Sequence, residues 1–259
     1  IFHRNDPLGA PVILLSVYIV YEHCTAILII MQSKESESWR SVSYEEELQR
    51  AKWYKEDLDK GDGWTLAAKE PGYSYWIKTI GGDEVPIKIV YTVDMPLPAE
   101  VFAQLLDPKN LQARNDWDKS FVEHEILGTY PDGYVTYMRA LLSWPLTDRS
   151  FVLYLPTSKE VDWYGKRAHF LLAKHGWHPS KPEGEDGFVR ATNGGNFYMV
   201  MPDEKEPEAA CQVFGLTNNL YNGWIPKTNM EWMQKRIVPG KFNEWRENLV
   251  EGYKKYFKK

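Results

Sequence analysis

Arg114 and Asp118 stand four residues apart in "QARNDWDKSF", with Trp117 beside the acid. On a helix this spacing brings a guanidinium against a carboxylate. Three readings are open for such a pair: surface decoration, a buried structural pair, or a cation held in place for a ligand. Cation before acid is the weaker order for simple helix support, which counts against the first. A buried guanidinium needs a partner, and its planar fork matches the oxygens of a carboxylate or a phosphate. Asp116 does not make a general acid/base pair with Asp118, because residues two apart on a helix do not face each other.

Little else in the chain has the makings of chemistry. His175 and His178 fall in "KHGWHP", with no cysteine or carboxylate cluster beside them, and read as loop residues rather than metal ligands. Cys211 lies in an apolar, strand-like run and reads as a small buried residue, not a nucleophile. A nucleophile elbow, a paired-histidine zinc motif, a P-loop and a dinucleotide fingerprint are all missing. The expectation is therefore no catalytic residue, no metal and no cofactor. A net charge of −5 argues against a nucleic-acid partner. It leaves room for a membrane, since a local basic patch can act against the global sign. Two cysteines are too few for a disulfide framework and fit a reducing compartment. Eleven Trp, sixteen Tyr and ten Phe imply a core of large side chains, or an apolar cavity with an amphipathic rim.

The elements that must position Arg114 and Asp118 can be read from punctuation and period. From Ser43, "SYEEELQRAKWYKEDLDKG" predicts a helix with acids in its first turn and Gly61 at its end. Tyr44, Leu48, Ala51 and Leu58 share a face, which Trp53 breaks. Two strands are expected around Glu70-Pro71-Gly72, and a third in "VPIKIVYTVDM". "LPAEVFAQLLD" predicts a short helix with Pro98 in its first turn, stopped by Asp107-Pro108. Further strands are expected in "GYVTYMRALLSW", "RSFVLYLPT", "GKRAHFLLAKH", "GFVRATN", "NFYMVMP" and "ACQVFGLTNN". Consecutive strands with short turns imply antiparallel pairing. From Pro226 the chain reads as helix, interrupted at Pro239-Gly240. Beyond that break Phe242, Trp245, Leu249, Tyr253 and Tyr256 form one apolar face. The opposite face is charged, with six Lys/Arg against three Glu after Gly240.

Residues 10–31 are apolar except for Glu22 and His23, and long enough to span a bilayer. A central charge costs a span about 2.5–3.5 kcal/mol. We read residues 1–30 as unprocessed upstream sequence or an anchor, residues 31–42 as a polar linker, and residues 43–257 as the functional domain. The functional protein is expected to begin at Met31.

Over about residues 40 to 257 the chain resembles the START domain family, the lipid-transfer domain related to the steroidogenic acute regulatory protein. It looks closest to the phosphatidylcholine-transfer branch. The stretches carrying the resemblance are "ARNDWDKSF", "SWPLTDRSFVLYL", "GFVRA" and "WIPKTNMEWMQKRIVPGKF", in that order. The resemblance implies an α+β helix-grip fold: a curved antiparallel sheet wraps a long C-terminal helix around an apolar tunnel holding one lipid. It also implies binding and transfer of a phospholipid without catalysis, by a cytoplasmic, transiently membrane-bound monomer. By the same resemblance Arg114 meets the lipid phosphate and Asp118 holds the arginine. Tunnel lining is then expected from Trp117, Tyr137, Met138, Phe151, Met233, Phe242 and Trp245, with a gate at Pro239 and Gly240. Lys254, Lys255, Lys258 and Lys259 would touch anionic head groups. Arg149 is expected to fix a turn rather than touch ligand.

The choline-binding members use an aromatic cage for the quaternary ammonium. At its positions this chain has Met138, Phe151, Leu105 and Asn193. That departure leaves lipid binding in place and puts choline selectivity in question. Two rival functions have the same fold: a regulatory module whose lipid is a signal, and an enzyme with a polar cluster in the tunnel.

Overall fold

Ser43 caps the first helix through its side chain, which accepts from the Glu46 N–H, and three glutamates fill the first turn. This helix, α1, spans Tyr44–Lys60 and stops at Gly61 (φ 71°), whose N–H returns to the Leu58 carbonyl. The left-handed backbone there is one that glycine adopts without strain. A computed structural model describes residues 38–79, 87–140, 147–184, 187–223 and 238–258. The N-terminal apolar segment, Met233 and most of the stretch from Pro226 to the Pro239 break lie outside these residues. Two compact units divide the chain, Ile1–Ser41 and Val42–Lys259. Of the first, a single 3-10 turn at Ser38–Arg40 is described.

The second unit is an α+β fold, as expected. Its strands are β1 (Thr65–Glu70), β2 (Tyr73–Thr79), β3 (Ile87–Met95), β4 (Phe121–Tyr130), β5 (Gly133–Ala140), β6 (Arg149–Pro156), β7 (Lys159–Trp163), β8 (Lys166–His175), β9 (Val189–Arg190), β10 (Thr192–Asn193), β11 (Asn196–Pro202), β12 (Cys211–Thr217) and β13 (Asn219–Leu220). Among the described residues the main sheet runs β1-β2-β3-β12-β11-β8-β6-β5-β4, with β7 on β8 and β9 on β6. Every pair in it is antiparallel except β6–β9. β4 and β7 are strands that the pattern did not predict. "GFVRATN", expected as one strand, splits into β9 and β10, and β10 pairs with β13 in a separate two-stranded ribbon.

Helix α2 (Ala99–Leu106) follows β3, with Pro98 at its N-cap. A 3-10 turn at Pro108–Asn110, capped by Asp107, leads into α3 (Leu111–Trp117). The C-terminal helix, α4, spans Val238–Tyr256. Pro239 falls in its first turn, where no intrahelical N–H bond is lost.

Both faces of the sheet are covered. Because side chains alternate along a strand, Phe197 and Met199 of β11 join one core while Val200 joins the other. The outer core packs the sheet against Ala51 and Tyr54 of α1. Trp53, which broke the predicted face, is 48% exposed. The inner core packs the sheet against Phe102 and Leu105 of α2, Trp117 of α3, and Phe242, Trp245 and Leu249 of α4. Phe242 stacks between Tyr73 and Tyr75, at 5.4 Å from each.

Candidate functional site

The inner face of the sheet and the three helices enclose a cavity of about 460 Å³. That is within the ~300–1,000 Å³ of small-molecule sites. Most of its wall is apolar: Met138, Phe151 and Leu153 from β5 and β6, Leu171 from β8, and Phe242 and Trp245 from α4. Arg114 reaches the wall from α3.

Helix geometry builds the charged end. Asp118 caps α3, its N–H bonded to the Arg114 carbonyl at 2.8 Å. The Arg114 side chain turns back onto it, with Nε and Nη2 each 2.8 Å from Oδ2. Oδ1 accepts from the Ser120 N–H at 3.1 Å. Burial alone would raise the Asp118 carboxyl, but the Arg114 guanidinium and the Ser120 N–H and hydroxyl outweigh it and hold the group below the usual carboxylate range. Asp118 stays charged, so a cation is fixed at the edge of an apolar cavity. Phe121 lies 5.4 Å from the guanidinium carbon. Among the described residues Nη1 makes no hydrogen bond. The donors left over on the fork are suited to a bidentate oxyanion.

Of the residues expected around a ligand, Arg114, Met138, Phe151, Phe242 and Trp245 line this one cavity. Asp118 sits behind Arg114, away from the wall. Two expectations are corrected. Tyr137 is not in the wall: it neighbours Met138 on β5, so it faces the opposite side, between the Lys181 ammonium (4.1 Å) and Arg190 (5.8 Å). Trp117, 1% exposed, is spent on helix packing, its indole lying against Gly252 of α4. Pro239 and Gly240, where a gate was expected, fall in the first turn of α4, and the Pro239 carbonyl accepts from the Tyr73 hydroxyl at 3.3 Å. Arg149 is buried and donates to the carbonyls of Tyr221, Thr147 and Asn222, pinning the entry of β6. His178 bonds Ser180 within its own loop (2.7 Å). Burial pushes the Cys211 thiol up to about 12, with Asp203 and Asp94 adding to it, which makes it a poor nucleophile.

At the cage positions, Asn193 lines the cavity, but its Oδ1 is occupied by the N–H groups of Gly195 and Asn196. Phe151 meets Tyr221 edge-on at 6.2 Å, and both line the cavity. Sequence reasoning missed His124, which also lines it and is 8% exposed. The signal was available only through β4, whose Cα register sets His124 opposite Met138.

Comparison with known proteins finds the same architecture. A START domain model matches residues 44–254. Phosphatidylcholine transfer protein of Bos taurus is 27% identical over 149 residues, covering 56% of this chain and 65% of that protein. Human STARD10 superposes with a TM-score of 0.62 at 19% identity, over 80% of this chain and 82% of that one. Human StAR-related lipid transfer protein 5 gives 0.61 at 17% identity, over 80% and 96%.

Proposed function

The chain belongs to the START domain family of lipid-binding and lipid-transfer proteins, and on that premise we propose that it binds one phospholipid and moves it between membranes without chemistry. The observation that carries this reading is the Arg114 guanidinium, anchored by buried Asp118 at the rim of an apolar cavity. The guanidinium takes the phosphate and the apolar wall takes the acyl chains. Removing several hundred Å² of acyl surface from water, at about 25 cal/mol per Å², holds a lipid against dilution. The likeness to phosphatidylcholine transfer protein supports a glycerophospholipid ligand. The protein works as a monomer at the cytoplasmic face of membranes, docking transiently through the exposed Lys254 and Lys255 of α4 and Lys258 just beyond its end. Opening takes place at Pro239-Gly240, where α4 begins. Among the described residues no helix is long and apolar enough to cross a membrane.

The test is phospholipid loading of Arg114→Ala and of the double variant Arg114→Ala/Asp118→Ala, read by native mass spectrometry after incubation with mixed vesicles. Hydrogen bonds to charged groups contribute about 1.5–3 kcal/mol, so loading should fall roughly 10- to 100-fold. The double variant leaves no buried carboxylate unpaired and guards against misfolding as the cause. Unchanged loading in a folded variant refutes the head-group role. Lipid bound but never transferred between vesicles would favour the regulatory reading.

A further inference from the structure

The cavity wall contains a row that runs across three strands. His124 of β4 is paired with Met138 of β5, and Met138 with Phe151 of β6. Directly opposed residues share a face, and all three line the cavity. The row begins next to the guanidinium: one Phe121 ring lies 5.4 Å from the Arg114 carbon and 5.5 Å from the His124 ring. The backbone of His124 is held, its carbonyl accepting from the Asn115 amide at 3.1 Å. Its ring is not. Both ring nitrogens are buried, and among the described residues neither has a hydrogen-bond partner. Buried polar atoms are almost always paired, so two orphans on one ring that faces a cavity point to a ligand.

The protonation state says which ligand atoms would fit. Burial, with Arg114 adding to it, pushes the imidazole down to about 3, so the ring is neutral near pH 7. A neutral imidazole has one N–H donor and one bare acceptor nitrogen. Phosphate oxygens satisfy only the donor. The acceptor needs an N–H or O–H on the ligand, and a quaternary ammonium has neither.

We propose that His124 contacts the head group and selects lipids whose head group carries an N–H or O–H donor next to the phosphate. This rests on the phospholipid reading above. The row places that donor between Arg114 and Phe151, where Met138 supplies no aromatic face for a trimethylammonium.

The probe is the N-methylation series of one glycerophospholipid: ethanolamine, N-methyl, N,N-dimethyl and choline head groups on identical acyl chains. The first three keep at least one N–H and the last has none. The full chain is incubated with vesicles holding all four in equal amounts, and the carried lipids are quantified by mass spectrometry. The expected result is a step of about tenfold at the last methyl, the worth of roughly one hydrogen bond. His124→Gln, which keeps a donor and an acceptor, retains the step, and His124→Leu removes it, the step being read as a ratio among the lipids carried. Equal carriage of all four, or a preference for choline, overturns the proposal and leaves the phospholipid reading standing. A smooth decline with each methyl that His124→Leu does not alter marks exclusion by bulk and also overturns it. Absence of any phospholipid from the protein overturns both readings.

Discussion

Gly252 sets how closely α4 approaches α3, and replacing it with alanine separates two opposing effects. A methyl group at this position would lie 2.7 Å from Trp117 Cδ2, 2.8 Å from Cε2 and 3.0 Å from Cγ. Real carbon contacts do not come so close, so the indole or the helix must give by more than half an ångström. The indole is 1% exposed and packed into the inner core, and overpacking of this kind costs about 1–3 kcal/mol. Alanine in a helix returns about 1 kcal/mol relative to glycine. The clash should win, leaving Gly252→Ala less stable by roughly 1 kcal/mol. Urea denaturation followed by tryptophan fluorescence reads this as a lower midpoint at unchanged slope. Displacing Trp117 also disturbs Asp118, the next residue, so phospholipid loading should fall in the same variant. Gly240→Ala is the control, since nothing lies within 4 Å of its added methyl in the same helix. It should leave stability level or slightly raised. If Gly252→Ala is the more stable of the two, helix propensity outweighs contact, and the close docking of α4 on Trp117 is refuted.

Acid should act through the buried histidines, His124 above all, with His175 lowered by burial in the same direction. The His124 pKa is depressed to about 3 in the folded chain, so between pH 6.5 and 4 the unfolded chain binds a proton that the native one does not, and up to roughly 3 kcal/mol is lost. His124→Leu should flatten that part of the stability curve relative to the parent, and identical pH slopes would contradict the burial argument. The Asp118 carboxyl, also depressed, contributes stability that is present above pH 4 and lost only below it. Replacing Lys254 and Lys258 with glutamine should weaken binding to anionic vesicles about 30-fold, at ~1 kcal/mol per basic residue, measured by flotation at low salt. Undiminished flotation would move the docking surface elsewhere.

What could be read from the chain beforehand depended on how locally it was encoded. The ends of α1 were legible because Ser43 and Gly61 act within a few residues. The apolar face of α4 was legible from its period, and Phe242, Trp245 and Leu249 all reach the inner core. Tyr256, the last of that series, instead turns out to Asp116, its hydroxyl 2.6 Å from Oδ2. β4 escaped because two register shifts in its pairing with β5 break the alternation that marks a strand. His124 escaped with it. Tyr137 was misplaced for a simpler reason: it and Met138 are neighbours on one strand and point to opposite faces, Met138 to the cavity and Tyr137 to Lys181 and Arg190. Trp117 belongs to a contact between α3 and α4 that no local pattern records.

The order of the strands bears on how the wall is assembled. β3 finishes at Met95, yet its partner β12 begins at Cys211 and pairs back onto it residue by residue, Cys211 opposite Met95 and Val213 opposite Val93. Until β12 is made, β1–β3 form a meander with one long unpaired edge. That edge must survive while more than half of the domain is still being synthesised, and sheets closed by such distant partners fold slowly and are exposed to aggregation. The cavity wall is therefore closed late in synthesis, and the β3 edge is open until then.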